Sequence, residues 1–73
     1  MEKYCNADVY VLNESIINGR KVALYAISSP LSDIYLVDYE KSTKEIERLF
    51  FTMIDEAEKR YNAILMQIIK GKL

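Results

Sequence analysis

The stretch from Ser42 to Lys70 carries the pattern that most limits how this chain can fold. Its apolar residues recur at steps of three and four, the spacing that places side chains on one face of an α-helix. These residues are Ile46, Leu49, Phe50, Met53, Ile54, Ala57, Tyr61, Ile64, Leu65 and Ile68. Ser42 and Glu45 fit the capping box that starts a helix, with Thr43 as an alternative cap, and Gly71 fits a C-terminal cap. The pattern predicts one long helix over about residues 43–70.

The length of this predicted helix has a consequence for assembly. At about 1.5 Å per residue it would span roughly 42 Å, whereas a strand of six or seven residues spans only about 20–24 Å. A small sheet would leave the last two helical turns uncovered, and those turns are rich in apolar residues. We expect a second copy of the helix to cover them, through an interface of Phe51, Tyr61, Leu65, Met66, Ile68 and Ile69. The alternative is a helix that ends near Asn62, with its tail folded back onto its own subunit.

The first half of the chain predicts strands. Asn18–Gly19 is the strongest local signal, because both residues tolerate the positive φ that a type I′ hairpin turn requires. The register that follows pairs Ile17 with Arg20, Leu12 with Tyr25, and Tyr10 with Ile27. Asn13–Glu14–Ser15 interrupts the first strand as a bulge or a loop. Pro30 marks a loop after the second strand, because proline is kept out of central strands.

Together these segments predict an α+β fold and a single domain, residues 1–73. The predicted sheet is a three-stranded antiparallel β-meander over about residues 8–17, 20–28 and 34–39, and the long helix follows it. Residues 1–7 are predicted to be a polar lead-in.

Both faces of this predicted sheet are apolar. One face carries Val9, Val11, Val22, Leu24 and Ala26, and the other carries Tyr10, Leu12, Tyr25 and Ile27. The third strand adds Ile34 and Leu36 to one face and Tyr35 and Val37 to the other. A sheet covered by a single helix is expected to be polar on its outer face. The chain therefore offers more apolar surface than one helix and one sheet can hide from each other.

Size and composition narrow what can stabilise such a chain. A core built from 73 residues rarely supplies more than about 3–5 kcal/mol without disulfides, a metal or oligomerisation. Cys5 is the only cysteine and there is no histidine, so a disulfide within the chain is excluded and a zinc site nearly so. Oligomerisation remains, with an unusually well-packed monomer as the competing possibility.

Charge and composition also bear on location. The net charge is −1 with both signs interspersed, so no basic field attracts nucleic acid or anionic lipid. Because Met1–Glu2–Lys3 leads into Tyr4 and Cys5 and not into an apolar run, we expect no signal peptide, and no segment approaches the roughly 20 apolar residues of a membrane span. A single free thiol is typical of a reducing compartment, so we expect a cytoplasmic protein. The enrichment in lysine and glutamate is typical of thermophilic proteins, and an AT-rich genome gives the same bias.

The residues do not predict catalysis or a cofactor. General acid–base catalysis needs histidine or a carboxylate in a closed pocket, and a chain of this size has little room for one. Cys5 has no histidine to act as its base, so we interpret it as an inert small hydrophobe.

The function predicted is that of a small non-catalytic protein–protein interaction module. It is expected to self-associate as a homodimer and to act as a regulator or as an accessory subunit of a larger complex. One alternative is a nucleic-acid-binding accessory protein, in which Tyr10 and Tyr25 stack on bases beside Arg20 and Lys21. A small enzyme is the least favoured alternative.

Overall fold

A computed structural model describes residues 8–42 and 44–72 of the chain. It contains four strands and one helix: β1 (Asp8–Ile17), β2 (Arg20–Ser28), β3 (Asp33–Glu40), β4 (Ile46–Phe51) and α1 (Ile54–Ile69). Each strand pairs antiparallel with the next, so the sheet order is β1-β2-β3-β4. The predicted α+β class is confirmed, but the sheet has four strands and not three. The predictions for residues 1–7, Cys5 among them, and for Thr43 as a helix cap lie outside the described residues.

The β1–β2 hairpin turns at Asn18–Gly19, as predicted. Their φ angles are 54° and 77°, and Ile17 pairs with Arg20. Glycine suits this position because a side chain in the left-handed region costs roughly 1–2 kcal/mol per residue. The turn thus sets the register of the hairpin between itself and Asn13, which pairs with Leu24.

Further along β1 the predicted register is wrong by one residue. The pairing shifts between Val11 and Asn13, so that Leu12 is the extra residue of a β-bulge. Val11 therefore lies opposite Tyr25, where the prediction placed Leu12. In the same way Val9, and not Tyr10, lies opposite Ile27. Because side chains alternate along a strand, the bulge moves Val9 and Val11 to the face that the prediction gave to Tyr10 and Leu12.

The predicted start of the long helix is also wrong, because residues 46–51 form strand β4. Isoleucine, leucine and phenylalanine suit strands as well as helices, and a short apolar run fits both periods. Pairing with the edge of β3 decides the outcome. In the strand, Leu49 and Phe51 point towards the helix, while Ile46 and Phe50 point away from it.

The segment that resembles a helix cap is the turn of the β3–β4 hairpin. The backbone N–H groups of Lys41 and Ser42 donate to the Glu45 carbonyl at 2.9 and 3.3 Å, and the Glu45 N–H donates to the Ser42 carbonyl at 3.4 Å. The hydroxyl of Ser42 accepts a hydrogen bond from the Lys44 N–H at 3.4 Å. Serine side chains bond to nearby backbone in turns as readily as at helix starts, which explains the false signal.

Helix α1 begins after Met53, which makes no side-chain cap, and carries Asp55 and Glu56 in its first turn, where acids favour the helix dipole. Its end follows the prediction. Gly71 has a φ of 73°, its N–H donates to the Ile68 carbonyl at 3.0 Å, and the Lys72 N–H donates to the Gln67 carbonyl at 2.8 Å. This pair of hydrogen bonds is the Schellman motif.

The 16 residues of α1 span about 24 Å, which the strands match in length. The helix covers one face of the sheet and closes a single core, made of Val22, Leu24, Val37, Tyr39, Ala57, Tyr61, Ile64 and Ile68. Both Ile64 and Ile68, near the end of the helix, are only 2% exposed. The predicted overhang of the helix beyond the sheet is therefore wrong.

Candidate interaction surface

The face of the sheet away from α1, hereafter the open face, has four rows of side chains that run across the strands. Residues that pair across strands share a face, so the rows follow from the register. In order from the β1–β2 turn, they are Ile16, Lys21, Glu40 and Ile46; Glu14, Ala23, Asp38 and Arg48; Val11, Tyr25, Leu36 and Phe50; and Val9, Ile27 and Ile34. The first two rows are mostly charged and the last two are apolar.

The charged half of the open face is held by ion pairs within the chain. The Lys21 Nζ lies 2.8 Å from the Glu14 Oε2, and the Arg48 Nε lies 3.4 Å from the Asp38 Oδ2. The hydrogen bond that the Lys21 ammonium donates to Glu14, and then the charge of Glu14, raise the pKa of Lys21 above its ordinary value. Exposed pairs of this kind add little to stability. Their effect is to arrange charges of both signs on one face of the sheet.

Between these charges the small side chain of Ala23 forms the floor of a shallow depression. Its volume is about 180 Å³, and its rim is formed by Lys21, Tyr25, Asp38, Glu40 and Ile46. Ala23 itself is only 1% exposed, because the longer side chains around it exclude water.

The apolar half of the open face is exposed to a degree that is unusual for such residues. Val9, Val11 and Phe50 are 61%, 58% and 62% exposed, and they adjoin Tyr25, Ile27, Ile34 and Leu36. Leu31, in the loop next to this half, is 94% exposed. A contiguous apolar patch on a small protein marks an interaction surface more often than chance exposure does.

The interface residues predicted from the sequence do not form one surface. They are buried (Tyr61 and Ile68), partly buried against the core (Phe51 and Leu65) or exposed on the outside of α1 (Met66 and Ile69). The division arises because the helix is shorter than predicted and lies along its own sheet. Only the exposed pair is available to a partner on this side of the molecule.

The residues predicted to contact nucleic acid are divided between the two faces. Lys21 and Tyr25 lie on the open face, while Tyr10 and Arg20 lie on the face that carries the helix. A platform for stacked bases needs its aromatic and basic groups on one side. The structure brings together only half of the predicted set.

The set of site residues predicted from the sequence lacks three residues of the open face, Ile46, Arg48 and Phe50. The sequence predicts a helix over these positions, whereas the strand places them on one face. The sequence of Ile46–Phe51 does not alternate between apolar and polar residues, so its content of isoleucine and phenylalanine, which suit strands, is the only local signal for this strand.

On the helix side, a cleft of about 280 Å³ lies between the bulge of β1 and α1. It is lined by Leu12, Asn13, Leu24, Glu58, Tyr61 and Asn62. The hydroxyl groups of Tyr61 and Ser15 are hydrogen-bonded at its border, 2.9 Å apart.

Within the described residues, no three side chains from His, Cys, Asp and Glu are arranged to hold a metal ion. The described part of the chain also contains no helix that is both long and apolar enough to cross a membrane.

Under the helix, the Tyr39 hydroxyl donates a hydrogen bond to the Glu47 Oε1. Burial, and then this carboxylate, raises the pKa of Tyr39 to about 12. In the unfolded chain the pKa of a tyrosine is about 10. The stabilisation that comes from keeping Tyr39 neutral is therefore complete below about pH 10. That contribution should be lost as the pH rises from about 10 to about 12.

We therefore expect the free energy of unfolding of Tyr39→Phe to depend less on pH in this window than that of the wild type. The difference in slope should approach about 1.4 kcal/mol per pH unit at most. Urea unfolding at a series of alkaline pH values measures it. Identical slopes for the two proteins would show that Tyr39 does not titrate with this shift.

Comparison of the chain with models of protein families, with curated proteins and with solved structures gives no match.

Proposed function

We propose that this protein is a non-catalytic protein–protein interaction module that self-associates through the open face of its sheet. The observation that carries the proposal is the apolar half of that face, where Phe50, Val11 and Val9 are more than half exposed. Burial of such side chains is worth roughly 25 cal/mol for each Å² removed from water. Aromatic and large aliphatic groups are also the residues that form the centre of protein interfaces.

The size of the protein supports the same proposal. One helix covers one face of a four-stranded sheet, and a fold of this size has little stability to spare. Contact with a second sheet would bury the other face and add to a limited core. A role as a regulator or as an accessory subunit in the cytoplasm agrees with this proposal and with the single thiol, Cys5.

The site proposed for self-association differs from the helix surface predicted from the sequence. Exposed Met66 and Ile69 remain on the outside of α1, but their neighbours Tyr61 and Ile68 support the core. The open face instead offers two adjoining rows of apolar side chains on hydrogen-bonded strands. It is therefore the better site for a partner.

Nucleic-acid binding is the competing function, because Tyr25 and Phe50 share the open face with Lys21 and Arg48. Both basic groups are already paired with carboxylates on the same face. A nucleic acid would have to displace those carboxylates, and the face offers no excess of positive charge for phosphates.

The central test is the effect of Phe50→Glu on the mass of the protein in solution. The wild type should be a dimer by light scattering at micromolar concentration. Phe50→Glu should weaken dimerisation by about 100-fold or more, because two carboxylates would be buried in the apolar half. The variant should remain folded, since Phe50 lies outside the core.

Met66→Glu is the matched control, because Met66 is 48% exposed and lies on the helix. It should leave the dimer intact. A wild-type monomer would overturn self-association, and a dimer that Met66→Glu dissociates while Phe50→Glu does not would place the interface on the helix. Salt-sensitive binding of a single-stranded oligonucleotide by a wild-type monomer would favour the competing function.

A further inference from the structure

We infer that the partner of the open face is a second copy of this chain, stacked face to face about a two-fold axis that runs parallel to the strands between β2 and β3. This inference rests on the proposed function and specifies its geometry. The interface would be isologous, with the same residues contributed by both copies.

Such an axis has a simple effect on the rows of the open face. Each row is placed over the same row of the partner, but the strand order is reversed, so that β1 lies over β4 of the partner and β2 lies over its β3. The mean strand directions of the two sheets then agree within about 30°, as in aligned β-sandwiches, with the sheets about 10 Å apart.

The two apolar rows match under this rotation. Val11 faces the partner's Phe50, Tyr25 faces the partner's Leu36, and Ile27 faces the partner's Ile34. A small side chain on an edge strand thus meets the large exposed ring of Phe50, which helps two faces to pack closely. All the side chains in these contacts are free of charge.

The two charged rows also match, and they carry the argument for a second copy. Lys21 faces the partner's Glu40, and Glu14 faces the partner's Arg48. Each contact joins opposite charges and occurs twice in the dimer. At the corners, Ile16 faces the partner's Ile46, so two isoleucines that are 72% and 55% exposed would cover each other.

The depression over Ala23 has a partner in the same arrangement. Ala23 faces the partner's Asp38, whose carboxylate is paired with Arg48. A depression of about 180 Å³ leaves space for that carboxylate, and Lys21 is the cation on a rim that also carries Asp38 and Glu40. The lowest point of the face therefore lies where the facing side chain is charged and needs room.

The other simple two-fold axis, perpendicular to the strands, gives the opposite result. It would place the charged rows on the apolar rows, so that Arg48 faces the partner's Phe50 and Asp38 faces the partner's Leu36. Charges buried against apolar groups without partners cost several kcal/mol each. Only the axis along the strands places charged rows on charged rows and apolar rows on apolar rows.

The test is a charge exchange between two variants, Lys21→Glu and Glu40→Lys. Each variant alone should weaken homodimerisation by about tenfold or more, because like charges then face each other twice. Mixed in equal amounts, they should form a heterodimer in which every contact joins opposite charges. Its dissociation constant should return to within about threefold of the wild-type value. Because the two substitutions leave the three possible dimers nearly equal in mass, one variant is labelled uniformly with ¹⁵N, and native mass spectrometry then separates the heterodimer from both homodimers.

Mixing separates contacts between chains from effects within a chain. Lys21→Glu also places a carboxylate beside Glu14 of the same chain, and that repulsion is unchanged when the variants are mixed. Recovery on mixing thus reports only on the interface. If either variant fails to fold, the exchange of Glu14→Arg with Arg48→Glu tests the same axis at the other pair.

The outcomes distinguish this inference from the proposed function. A wild-type monomer would overturn both. A wild-type dimer that Phe50→Glu dissociates, but whose charge variants do not recover on mixing, would leave self-association through the open face in place and overturn the axis. Dimers that neither charge variant weakens would overturn the axis as well.

Discussion

Replacement of Ile68 by aspartate should unfold the protein, whereas the same replacement at Ile69 should leave it folded. The two residues are neighbours on α1, but Ile68 is 2% exposed and Ile69 is 57% exposed. Ile68 packs in the core, and its carbonyl accepts a hydrogen bond from the Asn18 side chain at 3.4 Å. Loss of the buried side chain and burial of a carboxylate together cost at least about 3 kcal/mol, which is most of the stability expected for a fold of this size.

Circular dichroism and urea unfolding measure this difference directly. Ile68→Asp should lack a cooperative unfolding transition, and Ile69→Asp should unfold within about 0.5 kcal/mol of the wild type. Light scattering on Ile69→Asp adds a second readout. If Ile69→Asp were folded but monomeric while the wild type is a dimer, the helix surface and not the open face would form the interface.

A second pair of variants tests whether residues 46–51 are a strand. Leu49→Lys should destabilise the fold by about 2 kcal/mol or more, because Leu49 packs against the core from the helix side of the sheet. In the monomer Ile46→Lys should cost less than about 0.5 kcal/mol, because Ile46 is 55% exposed and lies beside Glu40 on the open face of the single chain.

The contrast is informative because the two positions are three residues apart. In a helix they would share a face, so both lysines would disrupt the same contact. In a strand an odd separation places them on opposite faces. Urea unfolding of both lysine variants in the Phe50→Glu background, which removes the dimer, decides between the two. Equal destabilisation would show that the segment is helical.

The parts of the fold that were predictable depend on residues with a single physical role. Asn18–Gly19 and Gly71 adopt positive φ, and few residues tolerate that conformation. Their positions therefore predicted the β1–β2 turn and the end of the helix. In contrast, Ser42 and Glu45 suit both a helix cap and a turn, so the local sequence could not decide between them.

The remaining differences depend on contacts between distant residues. Ile46–Phe51 becomes a strand because the edge of β3 is available to pair with it. The local sequence of Ile46–Phe51 does not indicate that this edge is available. The position of the bulge in β1 likewise depends on how β1 aligns with β2. The sequence predicts Lys21 and Tyr25 as nucleic-acid contacts on the sheet, but their association with Phe50 and Arg48 depends on the fourth strand.

The bulge at Leu12 makes the composition of the open face independent of one residue of chain length. Residues between the bulge and the β1–β2 turn are fixed by the turn, and Leu12 is the extra residue that follows Val11. Deletion of Leu12 would join Val11 directly to Asn13, still opposite Tyr25, and would leave Val9 opposite Ile27. A regular strand that kept Leu12 would instead place Leu12 and Tyr10 on the open face. An ancestral strand that gained one residue here would thus have presented the same side chains to a partner as before.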